Sequence, residues 1–317
     1  MNKLRRIYRA CAATAAFLFL SQASWAGKEG GIDIHVGSGN VLGILEEETH
    51  LHLDAFRRVV LTRPAFHSNT FLMNGLQKRL WDSTVARFDY SYKNASGETV
   101  TRTYHARSGQ SIGGTMDDIA HGGSSSGSSS SGSGKTPTAN DLDILKDAEE
   151  RRFYTADNAE HVRVRNLDAR GSKVKVTNGD FKRVRDAELK TLRHIEFDLR
   201  NGVIPEGGRI TGYVSQPPCD SCTEVIRNFG EDYEIAGDIY HLVPAPRNAA
   251  PADGELGESN KAASRYFRVR KRAIEFALQA NRVTTPAPAT WGADASETIG
   301  ALQAAEQGEL NALPCRK

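Results

Sequence analysis

Two short strings hold the side chains best able to do chemistry together. Asp186-Ala187-Glu188 opens one predicted helix, and Pro218-Cys219-Asp220-Ser221-Cys222 opens the next, about 30 residues later. Zinc takes sulfur, nitrogen and oxygen ligands in a tetrahedron, and a catalytic zinc keeps one corner for water. Cys219 and Cys222 offer two thiolates from the first turn of a helix, where the helix dipole and free N–H groups favour the anion. Asp186 occupies an N-cap position and offers an oxygen as third ligand. Glu188 then falls on the same first turn, close to a metal yet able to miss it. That is the position for a proton shuttle between water acidified by the metal and a substrate.

Each residue also has a plainer role. Asp186 could be a helix cap only, and Glu188 an acid favourably placed in a first turn. The cysteines alone could form a dithiol redox pair in an exported thiol oxidoreductase. They could also help a closed, four-ligand zinc staple a loop in a non-catalytic binding protein. Four suitable side chains at two predicted helix starts, separated by one strand, favour the open metal site. A second string, His194-Ile195-Glu196, lies two turns inside its helix and reads as packing or surface.

The elements that must position these residues alternate. Helix 187–199, loop 201–208, strand 209–215, helix 220–229 and strand 233–242 imply an α/β layer with a partly parallel sheet. Pro244 and Pro246 then break the chain. Upstream, Leu72, Leu76, Leu80 and Val85 predict an amphipathic helix over 72–86. Alternating residues in 88–92 and 100–104 around Asn94-Ala95-Ser96-Gly97 predict a hairpin. Runs 161–166 and 173–177 flank Ala169-Arg170-Gly171 as a second hairpin candidate. Gly122 to Gly134 is almost wholly Ser and Gly and reads as a flexible tether. A last basic amphipathic helix, 264–280, carries Arg265, Arg268, Arg270, Lys271 and Arg272 around Tyr266, Phe267 and Phe276. It suits either a phosphate backbone or a solvated surface. Between 27 and 70, the run Gly37 to Gly43 lacks a clear strand-turn-helix frame, and His35, His50, His52 and His67 read as surface or packing residues.

The 317 residues, 39% hydrophobic and 25% charged, suffice for one or two domains with a real core. With 41 basic against 39 acidic side chains, net charge argues neither for nor against nucleic acid. At the start, Lys3, Arg5, Arg6 and Arg9 precede an apolar run from Ala12 to Leu20 and the small-residue site Ser24-Trp25-Ala26. This reads as an export signal cleaved after Ala26, too short to span a bilayer stably, so no stable membrane insertion is expected after cleavage. Cleavage would leave Cys219, Cys222 and Cys315, an odd count that argues against a disulfide framework.

At these residues the chain resembles the toxin-deaminase branch of the cytidine-deaminase-like superfamily of polymorphic bacterial toxins, in which D-x-E replaces H-x-E ahead of P-C-x-x-C. The likeness runs through Arg183 to Lys190, Gly208 to Thr211 and Pro218 to Phe229, with Thr103 to Gly109 resembling the second strand of the opening hairpin. It implies a three-layer α/β/α fold with a mixed sheet. It further implies a zinc ion held by Asp186, Cys219 and Cys222, with Glu188 as acid and base. The implied substrate is cytosine or adenine in nucleic acid or nucleotide, the implied setting a secreted toxin, and the implied partner a cognate immunity protein. The expected division is a signal peptide 1–26, an N-terminal extension 27–71 and a deaminase-like domain 72–245. A flexible insertion is expected at about 109–160, and a C-terminal helical tail over 246–317.

Overall fold

The computed structural model describes residues 31–242, apart from 38, 64–65, 67–68, 121–138, 155–156, 169 and 176–184, together with residues 255–283. Among the described residues six strands form one sheet: β1 (Ile32–Val36), β2 (Val85–Lys93), β3 (Thr99–Arg107), β4 (His161–Arg163), β5 (Arg209–Val214) and β6 (Ala236–His241). Their order is β1-β6-β5-β2-β3-β4. The central β5, β2 and β3 are antiparallel, whereas β6 and β1 continue parallel to β5, and β4 runs parallel to β3. Seven α-helices accompany them among the described residues: α1 (Gly39–Leu61), α2 (Thr70–Asp82), α3 (Ile112–Ala120), α4 (Ala139–Glu149), α5 (Ala187–Arg200), α6 (Asp220–Asp232) and α7 (Glu255–Val283). None of these helices is long and apolar enough to cross a membrane.

Alternation along the strands decides what each face meets. Ala86, Phe88 and Tyr90 of β2, with Tyr104 and Ala106 of β3, join a core with Leu189, Leu192 and Ile195 of α5 and Val225, Ile226 and Phe229 of α6. Gly212 of β5 lets this layer close, because a Cβ there would sit 2.8 Å from Ile239 and 3.1 Å from the Phe88 ring. On the other face, Val41, Leu42 and Leu45 of α1 and Tyr266 of α7 pack on Val85 and Leu242. Farther along α1, Leu53, Phe56 and Val60 build a helical cluster with Leu76, Met116 and Ile274. The protein is thus α/β, with a mixed sheet and helices on both faces, compatible with three layers.

The central hairpin forms where expected, its turn closed by the Asn94 side chain, which accepts from Ser96 N at 3.0 Å and Glu98 N at 2.9 Å. Several expectations are corrected. The helix expected over 72–86 spans 70–82, because Val85 and Ala86 are captured by the hairpin and by β5. The second hairpin does not form: β4 pairs with β3, and 173–175 are not a strand. Residues 27–71 are not a mere extension, since β1 forms an edge of the sheet and α1 covers a face. Gly37 directly follows β1, and Gly39 to Gly43 open α1, so the run does carry the chain from a strand into a helix.

The stretch expected as a flexible insertion contains α3, α4 and a short 3-10 turn, Glu150–Phe153, while the Ser/Gly tract lies outside the described residues. Buried carboxylates dock these helices. Asp143 accepts from Ser111 N at 3.0 Å, Glu150 accepts from Ile112 N at 3.0 Å, and Arg163 pairs with both Asp147 and Glu150. Pro244, Pro246, Cys315, His67 and the export signal also lie outside the described residues.

Candidate metal centre

Asp186, Cys219 and Cys222 come together at the N-terminal tips of α5 and α6. Asp186 stands at the N-cap of α5 with extended backbone, φ −64° and ψ 144°, but its side chain does not cap the helix. Its Oδ2 instead lies 3.3 Å from Cys222 Sγ and 4.0 Å from Cys219 Sγ. Cys219 is the N-cap of α6, and its sulfur accepts the Cys222 N–H at 3.4 Å. The sulfurs are 3.1 Å apart, well beyond a disulfide bond of about 2.05 Å.

The two tips are fastened to the same end of the sheet. Arg185 O accepts from Gly109 N at 2.9 Å, just past β3, and Lys190 Nζ donates to Arg107 O at 2.9 Å. The Arg185 guanidinium also lies 3.7 Å from Asp143 of α4. On the α6 side, Ser215 N donates to Val85 O and Val85 N to Ser215 Oγ, each at 3.0 Å. Lys190, Arg185 and Ser215 are supports that sequence reasoning missed. Lys190 lies four residues after Asp186 and looks like an ordinary helix lysine, yet it is buried, and burial pushes its pKa down to about 8.

Three side chains thus form a group of possible metal ligands: one carboxylate and two sulfurs, all within 4.8 Å. The set fits zinc. With Zn–S near 2.3 Å and Zn–O near 2.0 Å, a tetrahedron needs sulfurs about 3.8 Å apart and oxygen about 3.5 Å from each. The oxygen distances straddle that value, and the sulfurs would have to separate by roughly 0.7 Å. Three such ligands would leave a fourth corner free, the arrangement of a catalytic zinc.

Glu188 is 4% exposed and sits on the first turn of α5. Burial pushes the Cys222 thiol up, and the charge of Glu188 pushes it further, followed by the bond to Cys219 and the charge of Asp186. Glu188 is therefore an electrostatic neighbour of the pair without belonging to the ligand group. A dication reverses this balance, since a coordinating thiol loses its proton outright.

The neighbouring string His194-Ile195-Glu196 is structural. His194 is buried against the rings of Tyr104 and Phe197, and burial drives its pKa down to about 3. Glu196 accepts from Lys173 N at 2.7 Å and Tyr233 OH at 2.6 Å. Another group of possible ligands, Asp33, His35 and Asp238, lies on β1 and β6 at the surface, where Arg209 already pairs with Asp238. His52 and His105 are buried around the Glu48 carboxylate, at 2.9 and 2.7 Å, and His161 is 3.0 Å from His105.

No family model matches the chain, and neither a curated protein nor a solved structure matches it. The chemistry of the site is therefore the guide to function.

Proposed function

We propose that this protein is a secreted zinc-dependent deaminase that hydrolyses the exocyclic amine of cytosine or adenine in nucleic acid or nucleotide, and that it acts as a toxin countered by an immunity protein. One observation carries the chemistry: Asp186 leaves its own helix uncapped and turns to the two sulfurs, with Glu188 one half-turn on. The toxin setting and the immunity partner rest on the resemblance alone, and export on the composition of residues 1–26.

Asp186, Cys219 and Cys222 would hold the metal, which when bound supplies a Lewis acid that acidifies water. Glu188 takes the proton from the attacking water on its carboxylate and delivers it to the ring nitrogen. As the carbon–nitrogen bond breaks, the same carboxyl group relays the second proton, so amine and water become carbonyl and ammonia. Burial of Glu188 keeps bulk water from substituting for it. The ties from Arg107, Gly109 and Val85 hold both helix tips in place for this geometry.

The test is direct. The purified mature chain is expected to carry about one zinc per molecule and to release ammonia from a panel of nucleosides and oligonucleotides. Sequencing of nucleic acid from expressing cells is expected to reveal C-to-T or A-to-G changes. Zinc without ammonia release from any member of the panel would favour the stapled binding protein instead.

A further inference from the structure

The outer face of α7 carries a row of cations whose surroundings select a partner. Ala262, Ala263, Tyr266, Ile274 and Ala277 are buried against the rest of the molecule. Arg270 also turns inward, donating to Leu80 O at 2.7 Å, Ser83 O at 2.5 Å and Ser83 Oγ at 2.8 Å. It is a structural residue and leaves the basic set read from the sequence. Lys261, Arg265, Arg268 and Arg272 remain exposed. Their spacing of four, three and four residues puts them on one side of the helix, over roughly 16 Å.

The face between these cations is polar. Ser264 and Lys271 are exposed there too, and the described apolar residues of α7 are buried or half-buried. A bilayer surface needs apolar side chains to insert beside the cations. On one flank, the half-buried rings of Trp81 and Phe267 meet edge to face at 6.0 Å, an aromatic ledge of the kind on which bases stack. Lys271 pairs with Glu275, and Arg265 acts on Glu46, but Arg268 and Arg272 make no ion pair among the described residues. A chain of bonds links the helix to the segment that leads into Cys219. Arg270 ties it to Ser83, two residues before Val85, which is bonded to Ser215, and Cys219 follows four residues later.

We propose that Lys261, Arg265, Arg268 and Arg272 bind the phosphate backbone of a single-stranded polynucleotide, so that the base attacked belongs to a strand and not to a free nucleoside. This deepens the deaminase reading and rests on it, since chemistry on a base requires that base unpaired.

Fluorescence anisotropy with a labelled 20-nucleotide single strand, on the full mature chain carrying Glu188→Gln to prevent turnover, tests it. Changing the four residues to Gln preserves helix-forming side chains. The variant is expected to lose at least tenfold in affinity. The slope of log affinity against log salt should become shallower by about 3, at about 0.7 per phosphate contact. A charge-matched control, Arg151, Arg152, Arg170 and Arg227 to Gln, is expected to keep the parent slope. Equal slopes in parent and α7 variant would overturn the proposal, as would equal losses in variant and control. So would loss of poly-glutamate binding with oligonucleotide binding intact, which would assign the face to an acidic protein. Failure of the active chain to release ammonia from any substrate would remove the deaminase reading, while the anisotropy result would still decide whether the stripe binds a strand.

Discussion

Glu188→Gln separates catalysis from metal binding more cleanly than any other single change. The side chain is 4% exposed, so an amide of the same shape fits the same space, and volume-conserving swaps cost little. What disappears is a carboxylate able to accept and return a proton. Positioned acid–base groups contribute about 10²- to 10⁴-fold, and bulk water is a poor substitute at a site this buried. The expected loss in kcat/KM therefore lies in the upper part, about 10³- to 10⁴-fold, or about 4–5.5 kcal/mol at about 1.36 kcal/mol per tenfold. Ammonia release measures the rate, and metal analysis of the same sample should return the wild-type zinc content. Activity within about threefold of wild type would refute the shuttle role. Loss of zinc together with activity would make Glu188 a ligand or a support.

Cys222→Ser exchanges a soft thiolate for a weakly acidic hydroxyl, so zinc is expected to leave the protein and activity to vanish with it. Metal analysis after dialysis checks this. His194 provides a pH signature: its folded pKa of about 3 lies below the ordinary value, so the unfolded chain binds its proton first. Its stability contribution is complete above about pH 6.5 and is lost as pH falls towards 3, at up to about 1.4 kcal/mol per pH unit. Urea unfolding at pH 7, 5.5 and 4 should show that slope in the parent and a flatter one in His194→Leu. Arg163→Met would leave Asp147 and Glu150 buried without their shared cation, at a cost of about 3–5 kcal/mol, read as a lower urea midpoint.

Much of the half that holds the candidate site was legible because its signals are local. The apolar positions of α5 and α6 repeat at helical spacing, the turn from Asn94 to Gly97 carries its own hydrogen bonds, and the candidate ligand residues sit at helix starts that the sequence marks. The first helix was not legible. The buried stripe of α1 runs through Glu48, Thr49 and His52, polar residues that are inside only because Tyr266, His105 and Tyr154 arrive from more than 50 residues away. The strand β1 has five residues in strict alternation, Ile32 to Val36, yet nothing in so short a run says which edge it joins.

The sequence by itself determined the donor types, their positions on two first turns, and the basic, amphipathic character of α7, because spacing along a helix fixes which side chains share a face. Tertiary structure alone decided that Asp186 faces sulfur instead of capping its helix. It also decided that Lys190 and Arg270 are interior ties, and that β1, α1, α3 and α4 belong to the body holding the site. The reason is physical: direction and burial depend on partners distant in the chain, and no local pattern encodes a carbonyl from Arg107 or Ser83.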